Sequence, residues 1–157
     1  MAVYSVQGAQ STVSTTYKTA LIITAASSGT IRRGKIFDIN VAAQSAPAST
    51  DTNLQFDLSR QTAAGTTTSY TPVANDPADA AFSGLAGVNA SAEGTITSNS
   101  SVFNIALNQR APYRWQTYLG SGGELVYPAS ASNGFALRTL SAGYTGAAGG
   151  TVYVQEQ

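Results

Sequence analysis

Apolar residues recur at every second position along most of this chain, and that period commits it to strands. From Val13 to Ile23 the odd positions read Val, Thr, Tyr, Thr, Leu and Ile, while the even ones are mostly Ser, Thr and Lys. Successive strand side chains point to opposite faces, so the pattern describes a sheet with one buried side. Residues 36–42 repeat it, with Phe37, Ile39 and Val41 on one face and Asp38 and Asn40 on the other. In residues 53–61, Leu54, Phe56 and Leu58 face one way and Gln55, Asp57 and Ser59 the other.

Later segments carry the same signal. Phe103, Ile105 and Leu107 share a face in residues 101–109. In residues 112–119, Tyr113, Trp115 and Thr117 oppose Arg114, Gln116 and Tyr118. Residues 124–128, 134–141 and 151–155 complete the set. Residues 63–74 read as a weak strand or an exposed loop.

One stretch breaks the period. In residues 75–87, Asp76 suits a helix cap, Pro77 the first helical position and Asp79 the first turn. Ala78, Ala81, Phe82 and Leu85 make a short apolar stripe that Gly87 ends.

The expected class is all-β: a two-sheet antiparallel sandwich of jelly-roll type, with one short helix in a mid-chain connection. An immunoglobulin-like sandwich is the alternative, but its Cys–Trp–Cys pattern is missing. The first twelve residues lack a strong apolar pattern. This places an N-terminal arm over 1–12 beside a single domain over 13–157.

Composition narrows the function. The 157 residues suffice for one domain with a real core. There is no cysteine and no histidine, so Ser-His-Asp triads, cysteine nucleophiles and His-rich metal sites are excluded. Eight bases balance eight acids, and only 10% of residues are charged, against about 25% in ordinary domains. No long-range field steers nucleic acid or an anionic membrane. Ala, Thr, Ser and Gly contribute 26, 19, 18 and 15 residues, which gives a small, neutral, hydroxyl-bearing surface suited to packing against other protein. The longest N-terminal apolar run, Ala20 to Ile23, is too short for a signal core or a membrane span, so the chain reads as soluble.

Few residues suggest chemistry. A glycosidase needs two converging carboxylates, yet Asp38, Asp57 and Glu124 alternate outward and Asp76 and Asp79 read as capping residues. Loop oxygens at Asp51–Asn53 and Asn75–Asp76 fit turn chemistry better than a calcium site. The glycine clusters at 120–123 and 146–150 sit between strands and read as turns, not phosphate loops. No cofactor, metal, nucleic acid, membrane or small-molecule substrate is expected, and no enzymatic activity.

Contact residues are another matter. Arg32, Arg33 and Lys35 cluster at the start of the residue-36 strand, as a solvated strand end or a weak partner contact. Tyr17, Tyr113, Trp115 and Tyr127 fall on core positions, which leaves Tyr118, Tyr144 and Tyr153 for the surface. In LNQRAPYRWQ, residues 107–116, Leu107 and Trp115 point inward from two strands joined as a hairpin around Arg110 to Pro112. Arg110 and Arg114 then satisfy carbonyls or acids, or touch a subunit.

That stretch, with GGELVYPASASNGFALRTLSA and the closing TVYVQEQ strand, resembles small virion proteins of tailed bacteriophages. Residues 32–50 and the NDPADAAF segment are similar too. The resemblance implies a head decoration, or cement, protein on the capsid exterior, present in the host cytoplasm during assembly. Its implied partners are the major capsid protein and itself, as a homotrimer. A carbohydrate- or receptor-binding β module, on a phage tail or secreted, is the alternative.

Overall fold

The computed structural model describes all 157 residues as twelve strands in two antiparallel sheets stacked as a sandwich. The first sheet runs β6 (Val73–Ala74), β1 (Val3–Gln10), β12 (Ala148–Glu156) and β3 (Gly34–Ala43). The far side of β3 pairs with β9 (Tyr113–Gln116) and β10 (Leu125–Tyr127). The second sheet runs β5 (Thr66–Tyr70), β7 (Leu85–Ala92), β2 (Lys18–Thr24), β11 (Gly134–Leu140), β4 (Asn53–Ala63) and β8 (Thr95–Asn108).

Alternation fills the space between the sheets. Tyr4, Val6, Ile36, Ile39, Val41, Val152 and Val154 enter from one side, and Leu21, Ile23, Leu54, Phe56, Leu58, Phe135 and Leu137 from the other. Each such aliphatic or Phe side chain is worth about 1.5–3 kcal/mol when fully buried. A one-residue slip of any central strand would turn this set outward, so the core fixes the register.

Five expectations change. No helix forms at 75–87. Ala78 N–H donates to Asp76 Oδ1 at 2.9 Å and Asp79 N–H to Asp76 O at 3.0 Å, which closes one turn. Tertiary partners then take the chain. The Tyr4 hydroxyl donates to Ala80 O at 2.7 Å, and the Ser83 and Gly84 N–H groups donate to the Glu156 carboxylate at 3.0 and 3.1 Å. A helix this short is marginal alone, so these long-range bonds win.

Residues 1–12 are not an arm. β1 lies between β12 and β6, paired with β12 from Val3↔Gln155 to Gln10↔Ala148, and Tyr4 and Val6 are buried. Its alternation is masked because Gly8 and Gln10 fall on the inward phase. A Cβ at Gly8 would come within 2.4 Å of Val88 Cγ1.

Phe37 leaves the core face. Tyr153 pairs with Asp38 but Val154 with Ile36, so Phe37 is the extra residue of a bulge. Ile36 takes the inward position, and the Phe37 ring lies 6.3 Å from Tyr153.

Residues 107–116 do not form a hairpin either. β8 pairs with β4 in one sheet and β9 with β3 in the other, so residues 109–112 carry the chain across the sandwich. The glycines at 149 and 150 are likewise in β12 rather than a turn, where a Cβ would come within 2.1 Å of Gly8 O and 1.9 Å of Asn40 O.

Candidate functional site

The outer face of the first sheet gathers most of the residues nominated from sequence. With Ile39 and Val152 pointing inward, Lys35, Asn40, Thr151 and Tyr153 point away from the core, as does Arg114, the neighbour of the half-buried Trp115. Arg114 reaches diagonally from β9 to Asp38 on β3. Its Nε donates to Oδ1 at 3.0 Å and its Nη2 to Oδ2 at 2.5 Å, a two-pronged pair. The hydrogen bond to Asp38, helped by its charge, holds the guanidinium pKa above its ordinary value.

Beside this pair lies a shallow pocket of about 430 Å³. Tyr113 and Arg114 form one side, Asn40, Gln44 and Thr151 supply polar groups, and Gly149 contributes only backbone. A second hollow of about 480 Å³, on the other sheet near Thr52, Asn53 and Gln55, contains no charged residue.

A rigid loop follows β9. Thr117 N–H donates to Phe37 O at 2.8 Å, and Ser121 N–H closes a turn on Tyr118 O at 3.1 Å. Gly120 and Gly122 have φ of 85° and 82°, a region that L side chains avoid, and this turns their N–H groups onto the Glu124 carboxylate. The Gly120 and Glu124 N–H groups, with the Lys35 charge and Gly122, outweigh desolvation and depress the Glu124 pKa. The loop's tip nevertheless stands in water, with Tyr118 85% exposed and Leu119 39%.

The other nominated bases are dispersed. Arg32 lies 3.7 Å from the Glu156 carboxylate and Lys35 lies 3.9 Å from that of Glu124, so the basic triplet is not one patch. Arg33 is exposed, and its carbonyl accepts Gln157 N–H at 3.0 Å. Arg110, at the crossing between sheets, donates to Asp51 at 2.7 Å and to Ala48 O at 3.0 Å. With Gln109, whose side chain donates to Thr50 O at 2.8 Å, it pins the 48–52 loop. Arg110 therefore holds a loop and Arg114 a sheet face.

The tyrosines redistribute as well. Tyr144 is buried, its hydroxyl proton shared between Ser45 O and Ala147 O, and its oxygen accepts Ser45 N–H. Tyr113 is 37% exposed, with its ring 6.0 Å from Phe103. Burial, aided by the Glu156 charge, pushes the Tyr127 hydroxyl far above its ordinary pKa.

Asn40, Gln44 and Thr151 were not nominated. Their outward phase was readable for Asn40 and Thr151, but a polar residue on an outward strand position is too common to mark a pocket. Comparison with protein-family models, with curated proteins and with solved structures finds no match.

Proposed function

We propose that this chain is a structural virion protein of the head-decoration type, bound to the outside of a phage shell and stabilising it. The strand order supports a jelly roll. β1-β12-β3-β9 in one sheet and β2-β11-β4-β8 in the other interleave as the eight strands of that fold do, with β5, β6 and β7 inserted between β4 and β8. Jelly rolls build capsid proteins and lectins alike, so the fold alone does not decide between them.

The observation that carries the reading is where the acids go. Seven of the eight carboxylates accept structural bonds, Asp79 being the exception: Asp38, Asp51 and Asp57 from arginines, and Asp76, Glu93, Glu124 and Glu156 from backbone N–H groups. The remaining surface is sparsely charged and hydroxyl-rich, with Tyr118 and Leu119 held out on a hydrogen-bonded loop. A pre-ordered aromatic tip loses little entropy on contact, as a docking protein requires. Binding only the assembled shell shifts stability toward it, and several contacts per particle add avidity.

Electron microscopy of the intact particle tests this. Density for the chain over the outer shell, lost when Tyr118→Ala protein is supplied, is the expected result. Density on the tail, or none on the particle, overturns it.

The pocket beside Arg114 favours a second reading, a glycan-binding module, because the convergent amides of Asn40 and Gln44 and the Thr151 hydroxyl suit a sugar. Glycan-array binding that Asn40→Ala removes and Tyr118→Ala leaves intact would support it. A blank array would sink it.

A further inference from the structure

We infer that a second copy of this chain docks on the free edge of β8, strand beside strand, through Phe103–Asn108. β8 closes the second sheet, and β4 is its one strand partner. From Asn53↔Asn108 to Leu58↔Phe103 the register runs without interruption, so the outer side carries a regular row of N–H and C=O groups with no strand opposite. Such a row is a template for another strand, and proteins that stay single blunt it.

The molecule blunts its other edges. β6 is two residues long and follows Pro72, and β10 is three residues long. β9 is four residues long behind Pro112, and β5 is five residues long with a register shift between Thr66 and Thr68. The part of β8 before Phe103 is blunted too, by a shift between Phe103 and Ser101 and another between Ser101 and Ile96, around Asn99, whose φ is 53°. Only the second part, Phe103–Asn108, pairs six residues without a shift. It has no proline and no charged side chain, and none occurs anywhere in Thr95–Asn108.

The charge pattern selects a copy as the occupant. An antiparallel pair about a two-fold axis sets the strand against itself, so any charge on it would meet its own sign close by. β8 has none, and the chain's net charge of zero adds no repulsion at longer range. Phe103, Ile105 and Leu107 lie half-buried at the margin of the core, where an added strand would cover them. The pair rests on the strand order and the uncharged edge and is independent of any capsid. It contains two copies, whereas the resemblance noted above implies three.

Sedimentation equilibrium of the full chain over a wide concentration range tests the pair. The expected mass is twice 16.1 kDa, returning to one chain in an Ala106→Lys variant. Ala106 is exposed and its side chain makes no hydrogen bond, so unchanged circular dichroism would show that the variant still folds. Should it not fold, hydrogen exchange of the native chain still decides: β8 amides must lose protection on dilution. A single-chain mass at every concentration, a three-chain mass, or a pair that survives the lysine in folded protein overturns the proposal.

Discussion

Two arginine–aspartate pairs in this molecule have nearly the same geometry and different surroundings. Arg138 meets Asp57 at 2.6 Å and Arg110 meets Asp51 at 2.7 Å. The side chains of the first pair are 18% and 3% exposed, those of the second 49% and 64%. Around Asp57 the neighbours close in. Ser59 Oγ donates to it at 2.6 Å and Asn104 Nδ2 at 3.2 Å, and the Arg138 guanidinium lies 4.6 Å from the Tyr17 ring centroid. Around Asp51 there is mostly water. Distance alone therefore says little about an ion pair's weight, because desolvation sets what breaking it costs.

The largest test of this contrast is Arg138→Ala, which strands a carboxylate under its neighbours. It should cost about 3–5 kcal/mol in urea unfolding. A loss below about 1 kcal/mol would put the two pairs in one class.

Removing both charges, as Arg138→Met with Asp57→Leu, should cost less than Arg138→Ala alone, because no orphan charge remains. A sum of two independent losses in a double-mutant cycle would refute the coupling.

Acid unfolding gives the next effect. Burial raises the Asp57 pKa, but hydrogen bonds from Ser101, Ser59, Arg138 and Asn104 outweigh it and hold the carboxyl below its usual range. A depressed folded value contributes stability that is full above the unfolded pKa of about 3.9 and lost as pH falls through the folded value. Stability should fall with pH on that acid limb, and Asp57→Asn should flatten the limb while lowering stability at neutral pH. An unchanged limb would remove Asp57 from the account.

The smallest effect belongs to Arg110→Ala. At physiological salt its melting temperature should match that of the unaltered chain, since an exposed pair is screened and gains little. A clear drop would show that Arg110 matters through the Ala48 carbonyl and the 48–52 loop it holds.

How each pair reads from sequence is instructive. Period two placed Asp57 opposite Phe56 and Leu58, which is correct, but it implied exposure. The side chain is buried because its roof comes from Arg138 on β11, 81 residues away, and Asn104 on β8, 47 residues away. Asp76 was legible as a capping residue, although the helix it would have started gave way to a bond from Tyr4 and to bonds that Glu156 accepts. Within the pocket, Arg114 and Tyr113 were visible as residues of interest. Gln44 and Gly149 reach it only because β3 and β12 pair.

The sequence by itself determined the all-β class, the faces of β2 and β4, and the sparsely charged surface, because these follow from local alternation and composition. Tertiary structure alone decided which sheet each strand joins, since main-chain hydrogen bonds are the same for every residue and carry no address. That is why residues 107–116 cross between sheets, why residues 3–10 lie inside one, and why β8 is left with a free edge.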